Sequence, residues 1–329
     1  MTTTSNLSPV QVLRPDSASR KRTETSRELP ARRRSSRLLA PFPEGWYLVA
    51  SRRAGERATL LSKTSMGKVI VVWCDDQGTI GVADARCPHC GSHLGRQAGG
   101  RVRAGRLACA CRGFEFDISG GRTAMPSASP PRQAGLGVLE TRELAGLVFA
   151  WYGVDGREPQ WRLPHDPPDQ DGWSRPLMRT VRFPGHPQET SENAVDLAHL
   201  SYVHGFDEVQ QVGAVAVDGP TLRTAFDFTQ RVGFAGLPIV SFDVSAHVTA
   251  LGLGYSFIEV DERSIGMQTR LWTLATPVDG TLIDLTLVSQ VRQIRHPRRR
   301  IVGLAFLTTT LRTQLMNQFV LAQELLGVS

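Results

Sequence analysis

Arg86-Cys87-Pro88-His89-Cys90-Gly91-Ser92-His93-Leu94-Gly95, followed by Leu107-Ala108-Cys109-Ala110-Cys111-Arg112-Gly113-Phe114-Glu115-Phe116-Asp117, decides how the rest of the chain reads. Four of the five cysteines fall in these two stretches. Each is a short loop that opens on a thiol and carries a glycine, and the span between them can form a hairpin. Two loop tips brought together this way suit a metal ion or an iron–sulfur centre. A Cys-x-His loop facing a Cys-x-x-His loop supplies two thiolates and two imidazoles. In that ligand set the imidazoles replace thiolates on one iron of a [2Fe–2S] cluster and raise its potential. Cys87 and His89 meet the requirement in the first loop, and Cys109 in the second. Arg112 stands where the second imidazole belongs. A guanidinium is always protonated and has no lone pair for a metal.

Three completions of the site stay open. Cys111 or Cys90 supplies the fourth ligand, giving three thiolates and one imidazole, and the extra charge lowers the potential. Cys111 sits one residue from the usual position and needs a reshaped loop to do so. Alternatively the cluster is absent and its shell remains, with Cys90 and Cys111 paired or packed across the loops. Or Cys87-x-x-Cys90 with Cys109-x-Cys111 takes zinc, although zinc sites favour about two to four residues between paired thiols.

The chain has 329 residues, enough for two domains with sizeable cores. Its formal charge is +7, but residues 1–40 hold nine Lys/Arg against three Asp/Glu. The body is thus nearly neutral, which argues against nucleic acid as a partner. The Ser-, Thr- and Arg-rich tail at 1–40 reads as disordered, and it lacks the apolar core of a secretory signal. No apolar run is long enough to span a bilayer. Thiols clustered in loops point to metal ligation in a reducing compartment, and so to the cytoplasm. Cys74, ending the run Val69-Ile70-Val71-Val72-Trp73, reads as a buried strand thiol.

From Gly45 to about residue 160 short strands alternate with turns. Strands are expected at 58–61, 68–74, 80–84, 106–110, 138–142 and 147–151, with Asp75-Asp76-Gln77-Gly78 as a hairpin tip. A Pro/Asp-rich linker runs from 160 to 168. The second half has a helical rhythm over 192–204, then strand-like runs at 222–228, 239–248, 253–260, 266–273 and 282–291 that alternate as a half-buried antiparallel sheet does. A long amphipathic helix is expected over 297–327. No internal repeat is visible.

Within 192–204, His199 and His204 lie five residues apart. On an ideal helix that is about 500° of rotation, so one of them belongs where the helix ends, and Gly205 marks such an end. Two imidazoles and a carboxylate form the facial triad of non-haem Fe(II) sites, which leaves positions open for O₂ and substrate. A histidine pair of this kind is often merely structural; the cysteine loops ahead of it favour the metal.

The motifs Gly45-Trp46-Tyr47, the two cysteine loops, Gly146-Leu147-Val148-Phe149-Ala150-Trp151-Tyr152 and Glu192–Gly205 together carry a family resemblance. Residues 41–329 resemble the Rieske-type non-haem iron oxygenases. Within these they are most similar to the oxygenase components of 3-ketosteroid 9α-hydroxylases and to the Rieske-type cholesterol 7-desaturases. The resemblance implies an α+β fold, with an all-β Rieske-like domain at 41–160 and a helix-grip domain at 161–329 built of antiparallel sheet and the long C-terminal helix. It implies a [2Fe–2S] cluster on Cys87, His89 and Cys109, with Cys111 as a further candidate. It also implies mononuclear Fe(II) on His199 and His204, with Asp196 as the acidic bridge between the two centres. The third iron ligand of the family lies in a C-terminal Gln-Asp-aliphatic triplet, and Gln323-Glu324-Leu325 puts Glu324 there. The implied activity is hydroxylation or desaturation of a hydrophobic, polycyclic or steroid-like substrate with O₂. Electrons come from a separate reductase or ferredoxin, since no nucleotide-binding motif is present, and assembly is as a homotrimer or hetero-oligomer. The rival expectation is a degenerate subunit that binds ligand or partner without turnover.

Overall fold

The computed structural model describes residues 39–54, 60–124, 135–167, 171–232, 240–264 and 266–292. The tail at 1–38, the helix expected over 297–327 and Glu324 lie outside these residues.

The first strands are β1 (Gly45–Ser51), β2 (Leu60–Ser65), β3 (Lys68–Cys74) and β4 (Ile80–Asp84). In β3, Ile70, Val71, Val72 and Trp73 are each 1% exposed or less. A strand covered on both faces needs an apolar side chain at every position rather than at alternate ones, which is why this run reads as unbroken. Val71 and Trp73 share a core with Cys87, Leu94, Cys109 and Phe114. Ile70 and Val72 share another with Tyr47, Val49 and Val148. The expected hairpin tip joins β3 to β4, and Asp75 Oδ1 accepts from the N–H groups of Gln77 (2.9 Å) and Thr79 (2.7 Å). Cys74 is only half-buried, its thiol 3.5 Å from the Asp75 carbonyl, because the strand end leaves the core there.

Next come β5 (Arg101–Arg103), β6 (Arg106–Ala108), β7 (Glu115–Phe116) and β8 (Arg122–Ala124), an antiparallel sheet of short strands that carries the second cysteine loop. β6 stops at Ala108 rather than 110, since Cys109 already turns into the loop. β9 (Thr141–Leu144) and β10 (Leu147–Tyr152) pair with β1 in the order β1-β10-β9. The strand expected from 138 begins only at Thr141, and Val138 makes an isolated bridge to Ala83.

The second half is one eight-stranded sheet that starts with β11 (Leu177–Pro184). Two short helices, α1 (Pro187–Asn193) and α2 (Leu197–Tyr202), follow it. The remaining strands are β12 (Asp207–Gln211), β13 (Ala216–Asp218), β14 (Thr221–Val232), β15 (Val240–Leu251), β16 (Tyr255–Glu262), β17 (Met267–Pro277) and β18 (Leu282–Val291). Their order is β11-β18-β17-β16-β15-β14-β12, with β13 also on β14, all antiparallel. The single helical rhythm expected over 192–204 is in fact two helices, because Asp196 starts a new one as its N-cap. β18 departs from alternation: Ile283 to Ser289 are all buried.

A third core ties this sheet to β1 and β10. Trp46, Leu48, Phe149 and Trp151 pack with Leu251, Tyr255, Trp272 and Leu274. Backbone bonds reinforce it, from Met66 N to the Pro277 carbonyl (2.7 Å) and from Gly67 N to that of Val278 (2.9 Å). In the stretch read as a linker, residues 161–167 have no regular structure, yet they are anchored. Trp161 accepts a hydrogen bond from Trp46 Nε1 at 2.9 Å and sets its ring edge-on to Trp151. The fold is thus mostly β. Among the described residues no helix is long and apolar enough to cross a membrane.

Candidate metal centres

The two cysteine loops share one backbone design. In the first, Cys87 N donates to the Ser92 carbonyl (2.9 Å) and Gly91 N to the Cys87 carbonyl (2.8 Å). In the second, Cys109 N donates to the Phe114 carbonyl (2.8 Å) and Gly113 N to the Cys109 carbonyl (2.9 Å). Gly91 and Gly113 both have φ of 67°, a left-handed conformation that favours glycine. The glycine four residues after each thiol therefore closes the loop and turns its tip toward the other.

Three sulfurs meet between the tips. Those of Cys87, Cys90 and Cys109 lie within 4.8 Å of one another, with Cys90 and Cys109 at 3.7 Å. Ser92 Oγ sits between the latter two, 3.0 Å from Cys90 and 3.1 Å from Cys109. Cys87 and Cys109 are buried, Cys90 is half-buried, and Cys111 is exposed beside Cys90. Burial pushes the Cys87 thiol up to about 11. Burial acts the same way on Cys90, but hydrogen bonds from Ser92 and from the Cys87 and Cys109 thiols outweigh it and bring Cys90 down to about 6. Thiols this close cannot all ionise without a cation. Cys111 is raised, first by Cys90 alongside it.

The His89 ring packs on Phe114 with centroids 4.0 Å apart, and its Nδ1 is buried without a hydrogen-bond partner among the described residues. His93, the other imidazole of this loop, is engaged, its Nδ1 accepting from Gly95 N at 2.9 Å. Arg112 is exposed. The donor set fits an iron–sulfur centre in its soft thiolates and orphaned imidazole nitrogen. It does not supply a second imidazole in the second loop. Neither Ser92 between the thiols nor Phe114 beneath the imidazole was singled out from the sequence, where a serine or phenylalanine carries no ligand signal.

The second constellation lies 110 residues further along the chain from His89, at His199. His199 is the third residue of α2, in its first turn, and His204 lies just past the helix end, where Gly205 adopts φ of 68°. This ending brings the rings to 4.8 Å, nearly perpendicular at 80°. His199 Nε2 and His204 Nδ1 are both buried without a partner among the described residues. Burial lowers both imidazoles, and His199 beside it helps take His204 to about 4. They are neutral near pH 7, the form that ligates metal. His204 stacks on Phe206, which stacks on Phe228.

The two rings line a cavity of about 100 Å³ walled by Leu200, Phe206, Ile258, Leu271, Leu285 and Leu287, with Thr190, Asn193, Ser256 and Thr273 as polar members. Asp196 is exposed, and its Oδ1 accepts from Ala198 N (2.9 Å) and His199 N (3.3 Å). The structure therefore brings His199, His204 and Asp196 together in one short segment, and Cys87, Cys90 and Cys109 in the other site. Two imidazoles with free nitrogens at an apolar cavity fit a mononuclear iron site in donor chemistry.

Comparison with known proteins gives two family matches. The 3-Ketosteroid 9alpha-hydroxylase C-terminal domain matches residues 150–319, and the Rieske [2Fe-2S] domain matches residues 45–142. The chain is 30% identical over 189 residues to "Cholesterol 7-desaturase nvd" of Bombyx mori, covering 57% of this chain and 41% of that protein. It is 29% identical over 168 residues to the "3-ketosteroid-9-alpha-monooxygenase, oxygenase component" of Rhodococcus rhodochrous, covering 50% of this chain and 44% of that one. The chain thus spans less than half the length of these relatives. Among solved structures, dicamba monooxygenase bound to dicamba superposes with a TM-score of 0.60 at 18% identity, over 87% of this chain and 90% of that one. Pseudomonas putida CBB5 NdmA with caffeine gives 0.61 at 19%, over 82% and 79%. At such identities the likeness shows the fold.

Proposed function

The chain belongs to the family of the 3-ketosteroid 9alpha-hydroxylase C-terminal domain, joined here to a Rieske [2Fe-2S] domain, and from that membership we propose that it is an oxygenase component. It hydroxylates or desaturates a hydrophobic, polycyclic or steroid-like substrate with O₂, taking electrons from a separate reductase or ferredoxin. The observation that carries this reading is the pair of orphaned ring nitrogens on His199 and His204 at the wall of an apolar cavity. Relatives named as a sterol desaturase and a steroid monooxygenase support the substrate class.

In this reading residues 41–160 form the electron-accepting domain and 161–329 the catalytic, helix-grip one. When bound, Fe(II) on two imidazoles and a carboxylate supplies O₂ activation at its open positions. His199 and His204 hold the metal, with Glu324 as third ligand. Asp196 fixes the start of α2, and with it the His199 backbone, and bridges toward the cluster of a neighbouring subunit in a trimer. Leucines 200, 271, 285 and 287 keep water from the metal end of the substrate. At about 100 Å³ the cavity is smaller than the ~300–1,000 Å³ of usual ligand pockets, so the body of a polycyclic substrate needs further space. Thiols used for ligation rather than for disulfides suit a cytoplasmic protein.

A second reading rests on Arg112: a subunit whose Rieske loops hold no cluster and which binds ligand or works beside a complete partner. The test is turnover of a sterol and ketosteroid panel with a surrogate ferredoxin and ferredoxin reductase, read by mass spectrometry. Gain of one oxygen atom or loss of two hydrogens in the product supports the oxygenase. No product, from a protein that holds no reducible cluster, supports the second reading. His199→Ala should abolish bound mononuclear iron with the fold intact by circular dichroism; unchanged iron content would refute the assignment.

A further inference from the structure

We propose that Ser256 is the polar anchor of the substrate site. Its hydroxyl binds an oxygen, ketone or hydroxyl, carried by an otherwise hydrophobic substrate, and so selects which carbon lies at His199 and His204. The proposal rests on the oxygenase reading, whose substrate it narrows to an oxygenated one.

The two faces of the eight-stranded sheet treat buried hydroxyls differently. One face carries Leu251, Trp272, Leu274 and Val288 into the core shared with β1 and β10. The threonines on that face are bonded: Thr276 Oγ1 donates to the Leu48 carbonyl at 3.1 Å, and Thr286 Oγ1 lies 2.9 Å from Thr180 Oγ1. The opposite face turns Ser256, Ile258, Leu271, Thr273, Leu285 and Leu287 into the cavity that the histidine pair lines. It also carries four buried hydroxyls, on Thr224, Ser256, Thr269 and Ser289, each residue at most 8% exposed and none with a partner among the described residues. The register places them together. Thr224 pairs with Val248, Val248 with Ile258, Ile258 with Leu271 and Leu271 with Ser289, one row across five strands. Ser256 and Thr269 stand two residues to either side of that row, on the same face. A buried hydroxyl without a partner costs free energy. Four of them on one face of a sheet that bonds its threonines on the other mark a face built to meet polar atoms from outside the chain.

Ser256 is the one of the four at the wall of the cavity with His199 and His204. Thr273 is directly opposite it in the register, at the roughly 5 Å between Cβ atoms of such pairs, so both hydroxyls can reach one substrate oxygen. Thr190 and Asn193 add polar atoms from α1, but neither is buried without a partner. The aliphatic walls hold a ring system without fixing its orientation. A hydrogen bond from a fixed hydroxyl does fix it, and serine serves a ketone as donor and a hydroxyl as donor or acceptor.

The test uses the full chain loaded with Fe(II) and kept free of oxygen, so that binding is read without turnover. Equilibrium dialysis measures the affinity of androstan-3-one, androstan-17-one and their parent hydrocarbon androstane. One ketone should bind about tenfold more tightly than the hydrocarbon. Ser256→Ala should remove most of that advantage without changing the affinity for the hydrocarbon, and Ser256→Thr should keep part of it. Ser65→Ala, which deletes another buried, unpartnered hydroxyl outside this cavity, should leave the ratio as in wild type. Ser256→Ala should melt no lower than wild type, because it removes an orphan and not a bond. A lower melting temperature would mean that the hydroxyl has a structural partner, and would overturn the proposal. Ketones and hydrocarbon binding alike, or Ser256→Ala weakening both equally, also overturns it and leaves the oxygenase reading standing. No affinity for any of the three, with iron in place, overturns it together with the steroid-like substrate.

Discussion

Asp196 performs a structural task that can be separated from its proposed redox one. Its Oδ1 satisfies two backbone donors at the start of α2, those of Ala198 and His199, and an alanine there costs about 1 kcal/mol of helix stability. Asparagine caps as well as aspartate but has no charge. Asp196→Ala should therefore lower both thermal stability and iron retention, whereas Asp196→Asn should melt like wild type and lose electron transfer between subunits. Single-turnover kinetics separate the two; full activity in Asp196→Asn would remove the bridging role. At this scale much was legible. The helix end between His199 and His204 was legible from their spacing, because side chains five residues apart can meet only there; their role as metal ligands came from the family resemblance. The cap was missed as a cap, since an aspartate inside an apolar rhythm looks like one more solvated position. The sequence left both Cys111 and Cys90 open as a fourth ligand; the structure puts Cys90 in the sulfur trio and Cys111 at the surface beside it.

The elements that present the thiols depend on two glycines more than on any strand. Gly91 and Gly113 both sit at φ of 67°, where a side chain costs roughly 1–2 kcal/mol. The space around Gly91 is open, so strain is the only penalty there. Gly91→Ala should thus lower the melting temperature modestly while slowing cluster reconstitution, measured by the return of the visible absorption band after iron and sulfide are added. An unchanged reconstitution rate would mean the loop is set elsewhere. A continuous apolar run made β3 readable to the residue, and short stretches of apolar residues bounded by turns did the same for β4 and β18. β11 was not anticipated: its residues are mostly exposed, and Leu177 and Met178 at its start face solvent. Such an edge strand carries little periodic signal, and only pairing with β18 defines it.

At the scale of the whole molecule, the three largest apolar cores among the described residues are stacked through two thin sheets, and one of them is shared with the eight-stranded sheet. Trp46 is 1% exposed and joins β1 to Trp151 and Trp161. Trp46→Ala should cost about 3–5 kcal/mol. Loss of cluster absorbance and of sheet signal should then shift together in denaturant; separate shifts would mean that the two halves unfold independently. Sequence patterns marked both halves but not this common core, because tertiary contacts between distant strands leave no local trace. The central claim is that one chain holds both a cluster and a mononuclear iron. Its most direct test is iron and acid-labile sulfide per chain on anaerobically purified protein. The account predicts about three irons and about two sulfides; one iron without sulfide, or no iron at all, would contradict it.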